Sequence, residues 1–145
     1  MSILDQILKL NNGLDKKEFY NLICQDNKVG YVHKFIAKNL EKEFKELVII
    51  KKEIFILGDE FFKLNKLMNS ISKYLEKEKM INPLTGELFS CVNSFNGKEF
   101  FLLDRATLPA LGIRGYGVHL IAYVKTNKGP MIWTPRRSKN KLIDP

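Results

Sequence analysis

The sequence has 145 residues, of which 45% are hydrophobic and 28% charged, and its formal net charge is +8. This length and composition suit one folded unit with a buried core and exclude an intrinsically disordered chain. No apolar run approaches the roughly 20 residues of a membrane-spanning helix, so we expect no membrane segment.

The first predicted element is an amphipathic helix over residues 2–10. Ser2 is its expected cap, and Gly13 marks its end. Asp5 interrupts the apolar stretch and no basic leader precedes it, so the segment does not have the pattern of a signal peptide. We therefore expect the protein to remain in the cytoplasm.

The remaining elements follow from hydrophobic periodicity and turn residues. Strands are predicted at 19–24, 29–32, 47–50, 54–57, 87–92, 100–103, 116–125 and 131–135. Helices are predicted at 34–44, 60–79 and 105–111. The turns expected between these elements are 25–28, 82–86, 94–97 and 126–129. Asp59 is the expected N-cap of the helix 60–79, and Gly112 is expected to end the helix 105–111. The predicted fold class is α+β, with helices packed on small antiparallel sheets.

The cysteines and histidines show no pattern of a metal site. Cys24 and Cys91 each lie in a strand-like run, which favours buried thiols over a disulfide in a chain without a secretory signal. His33 is expected at a helix start. His119 alternates with apolar residues along a predicted strand, so it is either a core histidine or a pocket residue. We predict neither a metal site nor a cofactor in this chain.

Basic residues concentrate near the C-terminal end. Lysine supplies 20 of the 24 basic residues and is otherwise scattered, whereas residues 125–141 contain six basic residues and no acidic one. Arginine forks suit phosphate oxygens. We therefore take Arg136, Arg137 and Lys141, together with His119, as candidate anion-binding residues, and a solvated basic tail is the alternative.

Residues 104–141 carry a resemblance to a known family. The relevant residues are Gly112-Ile113, Tyr116-Gly117-Val118-His119-Leu120, Tyr123-Val124, Trp133 and Arg136-Arg137-Ser138 with Lys141. They resemble the junction at which an uncharacterised N-terminal domain runs into a Nudix hydrolase domain, as in plant Nudix enzymes and fungal thiamin pyrophosphokinases. Residues 29–32 also resemble that domain's early hairpin.

The resemblance implies a domain organisation and a ligand class. Residues 1–111 would form the N-terminal domain, and residues 112–145 the first strands of a Nudix fold, truncated before the catalytic motif. The implied ligand is a diphosphate compound, such as thiamin diphosphate or a derivative. Two positions depart from the family pattern, because Ile121 and Ala122 stand where the family usually has Asn and Gly.

The catalytic Nudix motif is missing from this sequence. In the family, its glutamates hold Mg²⁺, which neutralises the diphosphate and activates water. Here Leu64 stands where the first glutamate would follow Gly58, and no glutamate cluster of the required pattern occurs. Mg²⁺ is thus implied only for a complete Nudix domain, and we predict no catalytic residue in this chain.

Three readings remain open at the level of sequence. The leading one is a substrate-binding or structural domain of a Nudix-related protein, inactive as a hydrolase on its own. The second is a standalone interaction module. The third is a basic nucleic-acid-binding module, which the scattered lysines do not favour. Expected partners are a diphosphate small molecule and either a missing Nudix half or a second copy, the latter through the hairpin of residues 116–135.

Overall fold

The computed structural model describes residues 3–5, 16–118 and 120–136. Residues 3–5 are helical, and the rest of the predicted first helix lies outside the described residues. The chain divides into two compact units, with the boundary between Gly115 and Tyr116. Residues 112–115 therefore fold with the first unit, and the assignment of a Nudix start at residue 112 stays a prediction.

The first unit contains six strands and three numbered helices in its described part. In chain order these are a 3-10 turn Lys16–Glu18, β1 Phe19–Cys24, β2 Asn27–His33, α1 Lys34–Glu43, β3 Leu47–Ile50, β4 Glu53–Ile56, α2 Phe61–Lys77, β5 Leu88–Val92, β6 Glu99–Asp104 and α3 Leu108–Leu111. The second unit holds β7 Tyr123–Thr126 and β8 Gly129–Ile132. Mixed helices and small sheets confirm the α+β class.

The sheet pairing is not purely antiparallel. Strands β1 to β4 form one sheet in the order β2-β1-β4-β3, in which β1 and β4 run parallel and the other pairs antiparallel. Strands β5 and β6 form a second, antiparallel pair. The prediction of antiparallel sheets was wrong for β1 and β4, because local patterning does not encode the pairing of strands that lie far apart in sequence.

Several predicted boundaries also need correction. The first hairpin turns on Gln25 and Asp26 alone, and both have positive φ, as a type I′ turn requires. Helix α2 is capped by Glu60, without a side-chain bond, rather than by Asp59. The predicted helix 105–111 begins only at Leu108, at a Thr-Leu-Pro step that leaves one helical turn.

The last hairpin is shorter than predicted. Residues 116–118 and 120–122 have no regular structure, and β8 ends at Ile132. Glycines in this stretch weaken strand formation. Eight large apolar side chains in the described part of this unit are exposed. They are Val118, Leu120, Ile121, Tyr123, Val124, Met131, Ile132 and Trp133.

The core of the first unit joins both sheets through α2. The apolar residues of α2 recur at helical spacing, and those that are buried are Leu64, Leu67, Met68, Ile71 and Leu75. This face packs on β6, whose Phe100, Phe101 and Leu103 are also buried. The predicted inward face of this helix is thereby confirmed.

A close backbone contact fixes α3 against β2. Gly112 ends α3 in the left-handed conformation (φ 57°), as predicted. A Cβ at Gly112 would collide with the Tyr31 backbone, and a Cβ at Gly30 with the Leu111 carbonyl. Two glycines of the family resemblance, from distant parts of the sequence, thus meet in the fold and allow two backbones to approach closely.

Candidate ligand cavity

The candidate site is a cavity of about 620 Å³ within the first unit. One wall is the face of α2 that carries Asn65, Lys66, Asn69 and Ser72. The opposite wall is the end of β6, and the 82–88 segment closes the side. The lining is mostly apolar through four leucines, namely Leu84, Leu88, Leu102 and Leu103. Volume and lining are typical of a small-molecule pocket.

Asp104 holds the loop that forms the side wall. This buried carboxylate accepts hydrogen bonds from the backbone N–H of Thr85 at 3.1 and 3.2 Å, of Gly86 at 2.7 Å and of Ala106 at 2.9 Å. The Thr85 hydroxyl lies 3.2 Å from the same carboxylate. Hydrogen bonds to a charged acceptor are stronger than neutral ones. The Asp104 carboxylate therefore holds the loop in one position against the end of β6.

Two further bonds tie this loop to its neighbours. Glu76 of α2 accepts from the Leu84 N–H at 2.8 Å, and Arg105 donates to the Glu87 carboxylate at 2.9 Å. Beneath the cavity, the Thr107 hydroxyl bonds the Ser72 hydroxyl at 2.9 Å. Both cavity walls are consequently joined by polar contacts as well as by the core.

Asn65 connects α2 to the free edge of β6. Its side-chain oxygen accepts from the Leu102 N–H at 2.7 Å. This bond satisfies a strand-edge donor that would otherwise be unpaired. The amide nitrogen of Asn65 makes no protein hydrogen bond within the described residues. One turn further along the same face, Asn69 is exposed.

The two cysteines are buried and free, as predicted. Burial raises the pKa of the Cys24 thiol to about 11, and the nearby charge of Lys98 offsets part of that effect. Burial, together with Cys24 itself, raises the pKa of the Cys91 thiol to about 12. Both thiols are therefore protonated at neutral pH and serve as core residues rather than nucleophiles.

His33 stands where it was expected, at a helix start. It is the N-cap of α1, and its Nδ1 accepts from the Phe35 N–H at 3.3 Å. The Glu18 carboxylate lies 3.9 Å from its Nε2. The imidazole therefore has a structural role in the cap. Within the described residues, no group of three His, Cys, Asp or Glu side chains is arranged to hold a metal ion.

The structure describes only one of the four residues predicted to bind an anion. Arg136 is exposed and belongs to the second unit. Arg137, Lys141 and His119 lie outside the described residues, so their prediction stays untested. Sequence reasoning missed the cavity, although Asp104 directly after a strand and Thr85-Gly86 in a turn were visible signals of a polar anchor.

The chain belongs to the protein family described as "Domain of unknown function (DUF4743)", which matches residues 2–115. It is also similar to two Arabidopsis thaliana proteins. Identity is 27% with Nudix hydrolase 24, chloroplastic, over 98% of this chain and 40% of that protein. Identity is 29% with Nudix hydrolase 20, chloroplastic, over 97% of this chain and 41% of that protein.

A third relative is an uncharacterized protein of Saccharomyces cerevisiae, 27% identical over 100% of this chain and 47% of that protein. The chain thus spans less than half the length of these curated relatives. The matches confirm a Nudix-hydrolase-related protein that corresponds to the N-terminal region of the Nudix relatives. The finer relation to thiamin pyrophosphokinases stays a prediction.

The only information that the relatives give on the cellular compartment is in their names. Both plant proteins are named chloroplastic. The prediction of a cytoplasmic protein therefore stays a prediction. Among the described residues, no helix has both the length and the apolar character needed to cross a membrane.

Proposed function

We propose that this chain is the substrate-binding N-terminal part of a Nudix-type hydrolase and that it binds a diphosphate compound without cleaving it. The observation that carries the proposal is the near-complete match of the chain to proteins named Nudix hydrolases. Cleavage is assigned to a Nudix motif, whose glutamates hold Mg²⁺, and this sequence contains no such motif.

Two features of the chain support a binding role. The pre-formed cavity of the first unit has the volume and the mixed lining of a small-molecule site. Independently of that cavity, the C-terminal segment carries a run of basic residues that suits phosphate oxygens and is a separate candidate for the anion site. Thiamin diphosphate or a derivative is the compound that the family resemblance favours.

The test is calorimetric titration of the 145-residue chain with thiamin diphosphate and with nucleoside diphosphates. We expect binding, and we expect the double variant Arg136→Ala/Arg137→Ala to bind at least tenfold more weakly, because a charge-assisted hydrogen bond contributes about 1.5–3 kcal/mol. The matched control is Lys38→Ala/Lys42→Ala, which removes two exposed charges from α1. Equal affinity of wild type and both variants would place the anion elsewhere, and no binding at all would overturn the proposal.

An interaction module is the second candidate function. The exposed apolar side chains of the second unit favour it, because contiguous exposed apolar patches commonly mark protein interfaces. A partner protein or a second copy would then take the place of the small molecule. Failure of every diphosphate compound to bind, with self-association present, would favour this reading.

A further inference from the structure

We infer that the cavity between α2 and β6 binds an aliphatic monocarboxylic acid, with its hydrocarbon chain against the leucines and its carboxylate at Lys66. All residues that line this cavity belong to the first unit. The acid is a ligand additional to the diphosphate compound of the proposed function, for which the basic C-terminal segment is a separate candidate anion site. Binding of the acid therefore does not depend on the proposed function.

Leucine side chains form the apolar walls of the cavity. Leu84 and Leu88 come from the 82–88 segment, Leu102 and Leu103 come from β6, and no aromatic residue is among the described residues that line it. Leu88 is 60% exposed, so an apolar ligand would remove leucine surface from water. Polar groups placed against these walls would lose their water without gaining partners, and an aromatic ring would have no ring to pack on. The walls therefore favour an aliphatic body.

Lys66 is the charged group of the cavity that remains available to a ligand. It is the one basic residue among the described residues that line the cavity, it is exposed, and it has no ion pair with any described residue. The acidic residue of the lining, Asp104, already accepts bonds from the backbone N–H groups of Thr85, Gly86 and Ala106. A cationic head group would have to break these bonds to reach the carboxylate. An anionic head group at Lys66 breaks none, so the cavity favours an anion.

The two charged residues lie at different ends of the cavity. The Thr107 N–H donates to the Asp104 carbonyl and its hydroxyl bonds the Ser72 hydroxyl, both at 2.9 Å, so Asp104 lies at the Ser72 end of the α2 wall. Lys66 precedes Ser72 by six residues, which is about 9 Å along the helix axis. Helical side chains also point toward the N-terminus of the helix, which increases that separation. A carboxylate bound at Lys66 is therefore well separated from the Asp104 carboxylate.

Asparagine amides supply hydrogen bonds for the carboxylate oxygens. Asn65 and Asn69 lie four residues apart, on the face of α2 that lines the cavity. The Asn65 oxygen accepts from the Leu102 N–H at 2.7 Å, which fixes the side chain and leaves its NH₂ group as a donor. A carboxylate has two oxygens and one negative charge, so one ammonium group and one amide donor match it. The single lysine therefore favours a monoanion over a multiply charged ligand.

The first measurement is calorimetric titration of the full chain with butanoate, hexanoate and octanoate, and with octanol and octylammonium. Affinity for the acids should rise about threefold to fourfold with each added CH₂ group, which is the factor expected when a CH₂ group is buried. Octanoate should bind more tightly than octanol, and octylammonium should bind most weakly. Affinity that does not depend on chain length, or octylammonium that binds as tightly as octanoate, overturns the inference.

A lysine variant tests the site of the carboxylate. Lys66→Gln should weaken octanoate binding about fivefold, the size of a strong exposed ion pair, and leave octanol binding unchanged. Lys73→Gln, at an exposed lysine of α2 that does not line the cavity, is the matched control and should change neither affinity. If Lys66→Gln binds octanoate as tightly as the wild type does, the inference is overturned.

A leucine variant tests the site of the hydrocarbon chain. Leu88→Ser should weaken both octanoate and octanol at least about threefold, because leucine surface is lost from the wall. Its control is Leu57→Ser, at a leucine that is 51% exposed in a neighbouring groove that Lys66 also lines. An effect of Leu57→Ser in place of Leu88→Ser would place the ligand in that groove and overturn the inference. Circular dichroism verifies that every variant is folded.

Trp133→Lys tests uptake of the acid by the exposed apolar side chains of the second unit. This variant should bind octanoate as the wild type does, and a loss of binding overturns the inference. Every titration in the series is made without a diphosphate compound, so its failure leaves the proposed function standing. Failure of the diphosphate titrations, with octanoate still bound, overturns the proposed function alone.

Discussion

At the scale of single residues, Gly112 is the position where the fold most clearly requires a glycine. Its left-handed conformation and its contact with the Tyr31 backbone leave no space for a side chain. For alanine, the left-handed conformation costs about 1–2 kcal/mol. The collision of its Cβ with the Tyr31 backbone adds to that cost. We therefore expect Gly112→Ala to lower the free energy of unfolding by about 2 kcal/mol or more, as measured by urea denaturation.

Gly117 provides the control for that substitution. A Cβ at Gly117 would meet no atom within 4 Å. Gly117→Ala should therefore leave the unfolding midpoint within error of the wild type. Equal effects of the two substitutions would show that the close approach of α3 to β2 is not required.

The buried thiols predict a pH dependence of stability. An unfolded cysteine loses its proton near its ordinary pKa of 9.0, whereas folded Cys24 and Cys91 retain theirs until about pH 11 and 12. Above pH 9 the unfolded state therefore binds fewer protons than the folded state. Stability should fall as pH rises, with a slope that approaches about 1 kcal/mol per pH unit for each thiol well above pH 9.

Lysines and tyrosines also titrate in this range, so the comparison is made with the variant Cys24→Ala/Cys91→Ala. Its free energy of unfolding should be lower at pH 8, because two buried side chains are shortened. Between pH 9 and 11 it should fall less steeply than that of the wild type. Parallel pH profiles for the two proteins would contradict the assignment of the raised pKa values.

At the scale of elements, the loop of residues 82–87 depends on one carboxylate. Asp104→Ala removes the acceptor for three backbone N–H groups and leaves those donors without partners. We expect a loss of about 3 kcal/mol in unfolding free energy, and faster hydrogen exchange at residues 85 and 86. Asp59→Ala, at an exposed carboxylate, is the control and should change neither quantity.

Elements with strong local patterns were predictable from the sequence. The stripe of α2, the hairpin β1–β2 and the glycine stop of α3 each rest on spacing or turn chemistry within a few residues. The parallel pairing of β1 with β4 depends on contacts between residues about 30 positions apart, which no local pattern encodes. The same is true of the cavity, because Asn65 and Leu102 meet only after α2 packs on β6.

Exposed strand-forming residues were less predictable. Residues 116–122 alternate as a strand would, yet the described ones are irregular. Strand propensity reflects packing against neighbours more than an intrinsic backbone preference. A β-rich segment without a paired neighbour therefore does not have to form a strand.

At the scale of the whole molecule, the exposed hairpin predicts self-association. A two-stranded hairpin is at best marginally stable alone, and pairing with a second copy would satisfy its edges and cover its apolar side chains. We expect sedimentation at micromolar concentration to show a dimer that Trp133→Lys weakens. Phe62→Lys, at an exposed aromatic residue of the first unit, is the control, and a monomer throughout the concentration range would contradict the prediction.

The central claim is that the chain binds a diphosphate compound and does not cleave it. Phosphorus-31 NMR of thiamin diphosphate with the pure chain and Mg²⁺ tests both parts in one sample. We predict that the two diphosphate resonances broaden or shift on addition of protein and that no monophosphate or orthophosphate signal develops. Product signals that depend on the metal, or a spectrum that the protein leaves unchanged, would contradict the account.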